Sequence, residues 1–216
     1  MDGKNQIKVA LADDHVLVRK GLVEILLGSG FDVVADEGNG DELCERLLHI
    51  RADVVLMDID MPVCDGVRAT RTLCARDPAA RVIALSQHED ESHVIRMLRA
   101  GACAYLVKNV KPKDLVRAIE EVHTRGVHFS DLVSHSMMNA INKQGSGAAV
   151  RVDFTDREIE FLRHCCTEMT YKEIGDAMYI SPRTAERHSK LLCDRLGLRS
   201  RVGLVLYAIK HQVVSV

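Results

Sequence analysis

Apolar positions follow two regimes along the chain. Through residue 126, short unbroken apolar runs alternate with segments of helical spacing. The runs Ile7–Ala12, Phe31–Ala35, Val54–Met57, Arg81–Leu85 and Ala102–Val107 predict five strands. A run without alternation reads as a strand buried on both faces, as in a parallel sheet. Helical spacing covers His15–Leu27, with Val18, Leu22, Ile25 and Leu26 on one face. It returns over Asp41–Ile50 with Leu43, Leu47 and Leu48 inward, and over Gly66–Arg76, Asp90–Arg99 and Pro112–Arg125. Strands alternating with helices predict an α/β fold, a doubly wound, flavodoxin-like five-stranded parallel sheet. Right-handed crossovers bring every strand C-terminus to one edge. Pro62 cannot join a central ladder, so the third strand stops near Asp58. The other ends carry Asp13-Asp14, Ser86 and Lys108.

Beyond residue 126 the strand signal stops. Residues 127–142 have weak helical spacing, and Lys143–Ala149 is polar and Gly-rich, a flexible linker. Four helices follow. Thr155 and Glu158 form a capping-box pattern that opens the first, ending near Thr167. Tyr171–Met178 is the second, with Gly175 permitting close approach, and Tyr179-Ile180 is a turn. Ser181 caps the third, Pro182 occupies its first position, and Gly197 stops it. Arg201–His211 is the fourth. The predicted organisation is a first domain over 1–126, a partly helical linker over 127–150, and a small all-α domain over 151–216. Two short helices around a tight turn make a helix-turn-helix candidate. Arg183, Arg187 and Lys190 share one face of its second helix, as major-groove docking requires, while Ala185, Leu192 and Leu196 point the other way.

Charge sharpens that division. Residues 1–126 hold 17 Lys and Arg against 21 Asp and Glu, a net of −4, whereas residues 151–216 hold 11 against 9, a net of +2. No apolar run is long enough to span a membrane, and the polar N-terminus has no signal-peptide pattern. Seven cysteines without metal spacing point to a reducing, cytoplasmic setting.

The sheet-edge residues are chemically complementary. Clustered carboxylates repel unless neutralised. Oxygen donors of this kind suit Mg²⁺, which keeps several waters. With Asp58 as nucleophile towards a phosphoryl group, Mg²⁺ and Lys108 would stabilise the transferring oxygens, and Ser86 would donate a hydrogen bond to the product.

Ala12-Asp13-Asp14-His15, Met57-Asp58-Ile59-Asp60-Met61-Pro62 with Asp65-Gly66, Ala84-Leu85-Ser86, and Gly101-Ala102 through Tyr105-Leu106-Val107-Lys108 together resemble the receiver domain of two-component response regulators. The resemblance implies phosphorylation of Asp58 by a sensor histidine kinase. It implies Mg²⁺ held by Asp13, Asp14, Asp58 and the Asp60 backbone carbonyl, and a phosphate grip by Lys108. Ser86 and Tyr105 become a switch pair, the hydroxyl swinging towards the phosphate and the ring turning inward. Asp60 and His88 sit where side chains tune phosphoryl lifetime. Self-catalysed phosphoryl transfer and autodephosphorylation are the only chemistry implied, not metabolic catalysis.

Residues 153–214 resemble the DNA-binding domain of the NarL/LuxR (FixJ) group. The matching pieces are Phe154-Thr155-Asp156-Arg157-Glu158-Ile159, Lys172-Glu173-Ile174-Gly175, Ile180 through His188, and Leu196 through Arg201. This resemblance places Glu186, Arg187 and Lys190 towards bases, and Thr170, Lys172, Arg183, Thr184 and Arg201 towards phosphates. It implies double-stranded DNA with a two-fold operator, a homodimer formed through the last helix, and RNA polymerase as a further contact. Two alternatives stand beside this reading. One is a haloacid-dehalogenase-type phosphatase, suggested by Asp58-Ile59-Asp60 but opposed by Pro62. The other is a phosphorylation-independent transcription factor with a scaffold receiver.

Overall fold

The computed structural model describes residues 6–77, 79–143, 154–211 and 213–214. Most of the predicted linker, from Gln144 to Ala149, lies outside the described residues. Five strands, β1 (Lys8–Ala12), β2 (Asp32–Glu37), β3 (Val54–Asp58), β4 (Val82–Ser86) and β5 (Ala104–Val107), form one parallel sheet in the order β2-β1-β3-β4-β5. The helices between and after them are α1 (Val16–Gly28), α2 (Gly40–Arg46), α3 (Gly66–Arg76), α4 (Glu91–Ala100) and α5 (Pro112–Arg125). Strands β3 and β4 are buried at every position, because helices cover both faces of the sheet.

The strand order reverses direction between β1 and β3, which places the ligand crevice of such a sheet at the ends of those two strands. Asp13 follows β1 directly, and Asp58 ends β3. Gly66 fixes the return of the chain there. Its N–H donates to Ile59 O at 2.9 Å, and an added Cβ would overlap the Asp58 carbonyl oxygen.

Most predicted elements fall within two residues of the observed ones. The exception is α2, which ends at Arg46 rather than running to Ile50. Asn39 caps it by accepting from the N–H groups of Asp41 and Glu42 at 3.0 Å each. Leu48, expected inward, is 59% exposed, because the chain turns after Leu47.

The weakly patterned stretch after residue 126 forms α6 (Asp131–Lys143). Val127, Val133 and Met137 are buried in a cluster shared with Met97 and Leu98 of α4. The stretch is therefore packed structure rather than spacer up to that point. The C-terminal helices are α7 (Asp156–Cys165), α8 (Tyr171–Ala177), α9 (Pro182–Leu196) and α10 (Arg201–Lys210). Phe161, Leu162, Ile174, Ala185, Leu192, Val202 and Leu204 fill their centre and belong to the same cluster. Gly175 lets α8 meet the next segment: a Cβ there would lie 2.7 Å from Ile180 O. Among the described residues, no helix is long and apolar enough to cross a membrane.

Candidate functional site

The sheet edge gathers its polar residues tightly. Lys108 follows β5 and reaches back across the crevice, so its Nζ lies 2.8 Å from Asp13 Oδ2 and 2.8 Å from Asp58 Oδ2. Asp13 and Asp58 are buried, and the Asp14 side chain is 28% exposed. His15 adds a fourth group: its N–H donates to Asp13 Oδ1 at 2.8 Å, and its Nδ1 lies 2.8 Å from Asp14 Oδ1. One donor atom each from Asp13, Asp14, His15 and Asp58 fall within 4.8 Å of one another.

The electrostatics follow from this crowding. Burial pushes the Asp58 carboxyl above the ordinary value; Lys108 opposes that, and Asp13 reinforces it. Burial pulls Lys108 down, but its bonds to Asp13 and Asp58 outweigh burial and hold the ammonium above its usual value. Three carboxylates beside one lysine leave an excess of negative charge. The buried oxygens Asp13 Oδ2 and Asp58 Oδ2 meet the Lys108 ammonium, and Asp14 Oδ1 meets the His15 ring. Hard oxygen donors with excess charge fit Mg²⁺.

Ser86 and Tyr105 stand beside this cluster on β4 and β5, both fully buried. The Ser86 Oγ accepts from His88 N–H at 3.0 Å, and the Tyr105 hydroxyl donates to His88 O at 2.8 Å. The family resemblance implies a ring that turns inward on switching, whereas here Tyr105 is already inward. Asp60 and His88, expected near the phosphoryl site, pair at 3.4 Å on the exposed rim.

The second set of predicted residues lies on the helix-turn-helix. Ser181 caps α9 by accepting from Thr184 N–H, and its Oγ lies 2.8 Å from the Thr184 hydroxyl. Arg183, Glu186, Arg187 and Lys190 are exposed along one face of α9, and Lys172 is exposed on α8. Thr170 caps α8: it accepts from Glu173 N–H at 3.1 Å while Glu173 accepts from Thr170 N–H at 2.7 Å. This second capping box was readable as Thr-x-x-Glu but enters no sequence expectation.

Arg201 requires a correction. Expected to contact DNA phosphates, it is 2% exposed at the start of α10. Its guanidinium donates to the carbonyls of Cys165, Met169, His164 and Thr167 and to Arg125 O at the end of α5. It also lies over the Tyr171 ring, 5.5 Å from the centroid. No donor capacity is left facing solvent, so Arg201 is a structural tie between the two halves.

The two halves also meet at the α9 face. Arg81, just before β4, pairs with Glu186 at 3.3 Å. Arg199 donates to Arg71 O of α3 at 3.2 Å. Arg183, Glu186, Arg187 and Lys190 line a cleft with Arg51, Arg76 and Arg81 from the sheet domain.

Comparison with known proteins agrees with both halves. Residues 9–120 match the response regulator receiver domain, and residues 152–208 match the bacterial regulatory proteins of the luxR family. The transcriptional regulatory protein DegU of Brevibacillus brevis is 33% identical over 99% of this chain and 97% of its own. The response regulator ChrA of a heme-sensing two-component system is 28% identical, covering 97% of this chain and 99% of its own with a TM-score of 0.51. One chain of a CheX–CheY–BeF3–Mg²⁺ complex from Borrelia burgdorferi is 27% identical over 55% of this chain and 90% of its own, with a TM-score of 0.53. The chain belongs to the two-component response regulators that join a receiver domain to a LuxR-type DNA-binding domain. Its relatives are transcriptional regulators.

Proposed function

We propose that this regulator is switched by phosphorylation of Asp58, donated by a sensor histidine kinase. The observation that carries the reading is the double contact of Lys108 Nζ with Asp13 and Asp58, each at 2.8 Å, at the end of the sheet's switch point. An Asp58 carboxylate oxygen forms a bond to phosphorus while the bond from phosphorus to the donor imidazole nitrogen breaks. The electron pair of that bond leaves with the imidazole. Asp13, Asp14, Asp58 and the Asp60 carbonyl would hold Mg²⁺, which supplies charge neutralisation at the transferring oxygens when bound. The presence of Mg²⁺ and BeF3 in the Borrelia burgdorferi complex supports Mg²⁺ as the ion. Lys108 exchanges one carboxylate partner for a phosphoryl oxygen, and Ser86, already oriented by His88 N–H, turns its hydroxyl proton to another.

The output is DNA binding through α9 with Glu186, Arg187 and Lys190 towards bases and Thr170, Lys172, Arg183 and Thr184 towards phosphates. We place the receiver at 1–126 and the DNA-binding domain from 151, with α6 packed between α4 and α10. In this arrangement the α9 face shares a cleft with receiver residues, and α10 packs on α4 and α6 as well as on α7 and α9. Both observations favour domain release: phosphorylation frees α9 for the major groove and α10 for a homodimer that matches a two-fold operator.

The test uses the full chain with Mg²⁺ and acetyl phosphate or phosphoramidate, beside Asp58→Ala. Intact mass should show one phosphoryl adduct, absent from the variant, and the adduct should coincide with higher affinity for promoter DNA. An adduct that survives in Asp58→Ala overturns the acceptor assignment. DNA affinity identical with and without the adduct supports the scaffold-receiver alternative.

A further inference from the structure

We propose that Asp60, His88 and His93 form a second cation site on the rim of the receiver, for one first-row transition ion of the Zn²⁺ class. The three residues come from separate segments: the β3–α3 loop, the β4–α4 loop and the first turn of α4. One donor atom of each falls within 4.8 Å of the others. His88 Nε2 lies 3.4 Å from Asp60 Oδ2, and the His88 and His93 rings stack with centroids 4.8 Å apart and planes 18° apart. A tetrahedral ion with Zn–N and Zn–O bonds near 2 Å needs donor atoms about 3.3 Å apart. Exposed side chains close that difference by small rotations about χ1 and χ2.

A second feature points to a ligand. The two carboxylate oxygens of Asp90 each lie 2.8 Å from His93 Nδ1. That contact occupies Nδ1, so Nε2 is the ring nitrogen left to face an ion. Metal-binding histidines are oriented in this way by a carboxylate on their other nitrogen. Asp90 is itself oriented by a hydrogen bond from the Ser92 hydroxyl at 2.6 Å. His88 is also placed in advance, because its N–H is bound to Ser86 and its carbonyl to Tyr105. Only the side-chain torsions remain to be set when an ion binds.

The donor chemistry separates this site from the carboxylate cluster. Two imidazoles and one carboxylate favour Zn²⁺, Co²⁺ or Ni²⁺, whereas Mg²⁺ takes oxygens and water. Asp60 and His88 are exposed and His93 is half-buried, so an ion has access and water fills the fourth position. The ion would tie the loop that carries Ser86 to the loop that carries Asp60. On the reading of Asp58 as acceptor, it would be linked to the switch, and linkage runs in both directions.

The test is a Co²⁺ titration of the tag-free, reduced full chain in excess Mg²⁺, followed by visible absorption. One equivalent should bind with tetrahedral d–d bands and without a thiolate charge-transfer band, which separates the site from the cysteines. His88→Gln and His93→Gln should each weaken binding by about tenfold or more, and Asp90→Asn, a positioning change, by about tenfold. Asp14→Asn should leave it unchanged. Hydrogen exchange at residues 87–93 should slow with Co²⁺ in the parent chain and not in His93→Gln. Absence of a one-equivalent site, a thiolate band, or affinity equal to the parent's in either histidine variant overturns the site. Unchanged exchange overturns the loop restraint. None of these readouts depends on phosphorylation, so failure of the Asp58 reading leaves them interpretable.

Discussion

The guanidinium of Arg201 donates to the carbonyl of Arg125 at 2.8 Å, joining the first turn of α10 to the last residue of α5. Four further carbonyls of the α7–α8 region are bound by the same side chain. Removing it strands several buried acceptors at once, each costing about 1–3 kcal/mol when left unpaired. Arg201→Ala should therefore lower stability by about 3 kcal/mol or more, seen as a lower thermal midpoint in the absence of DNA. Arg201→Lys should recover little, since one ammonium cannot reproduce the planar fork. A normal midpoint with weakened DNA binding alone would return Arg201 to the phosphate-contact role.

Lys108 is the only described cation seated between Asp13 and Asp58. Lys108→Ala removes the group that opposes burial at Asp58, so the Asp58 carboxyl should rise further from its ordinary value. The transferring oxygens then lose a cationic partner. The initial rate of adduct formation with acetyl phosphate should fall about tenfold or more, a loss of about 1.4 kcal/mol in barrier terms. An unchanged rate would show that Lys108 acts only on the product state.

Gly66 is fixed by a steric fact rather than by a dihedral. A Cβ at this position overlaps Asp58 O, which belongs to the backbone and cannot rotate away. Gly66→Ala should force the β3–α3 loop outward and lower stability by about 1–3 kcal/mol. Phosphoryl acceptance should fall with it, because Asp58 shifts relative to Lys108. Denaturant unfolding and adduct mass measured on the same variant check both parts.

Arg81 and Glu186 pair across the two halves with side chains 22% and 49% exposed. A pair this exposed contributes up to about 1 kcal/mol. Arg81 is on the receiver and touches no DNA in the proposed complex, so Arg81→Ala tests the closed arrangement without altering the reading helix. DNA affinity of the unphosphorylated chain should rise by up to about fivefold, and that of the phosphorylated chain should stay the same. Equal affinities in the unphosphorylated forms would count against domain release.

The receiver was legible because its apolar runs stop at the residues that carry chemistry. Val54 to Met57 are buried on both faces of the sheet, and the next residue is Asp58. Parallel pairing then converts a one-dimensional pattern into convergence of Asp13, Asp58 and Lys108. The parts that were not legible depend on packing between distant segments. Arg201 reads as a surface cation by its charge, and only the carbonyls of residues 125 and 164–169 make its burial tolerable. The weak pattern of α6 reflects partners on two sides, since Val133 and Met137 face a cluster fed by both α4 and α10. The pairing of Asp60 with His88 required knowing that two loops leave neighbouring strands side by side.

Acid sensitivity of the DNA-binding domain should be traceable to Glu158. Burial pushes its carboxyl up, but the Thr155 N–H at 2.8 Å and the Arg195 guanidinium at 2.8 Å outweigh burial and hold it below the ordinary value. A carboxyl depressed on folding stabilises the folded state above its unfolded pKa of about 4.3. That contribution shrinks as pH falls below the unfolded value and is gone once pH passes the lower, folded one. Glu158→Gln keeps an acceptor for Thr155 N–H but gives up the charge that pairs with Arg195. At neutral pH the variant should be less stable by about 1 kcal/mol, the usual scale for a cap. Its thermal midpoint should lose less than the parent's as pH is lowered from 6 to about 3, so the two curves converge in acid. Parallel curves across that range would show that Glu158 holds the α7 start by geometry alone.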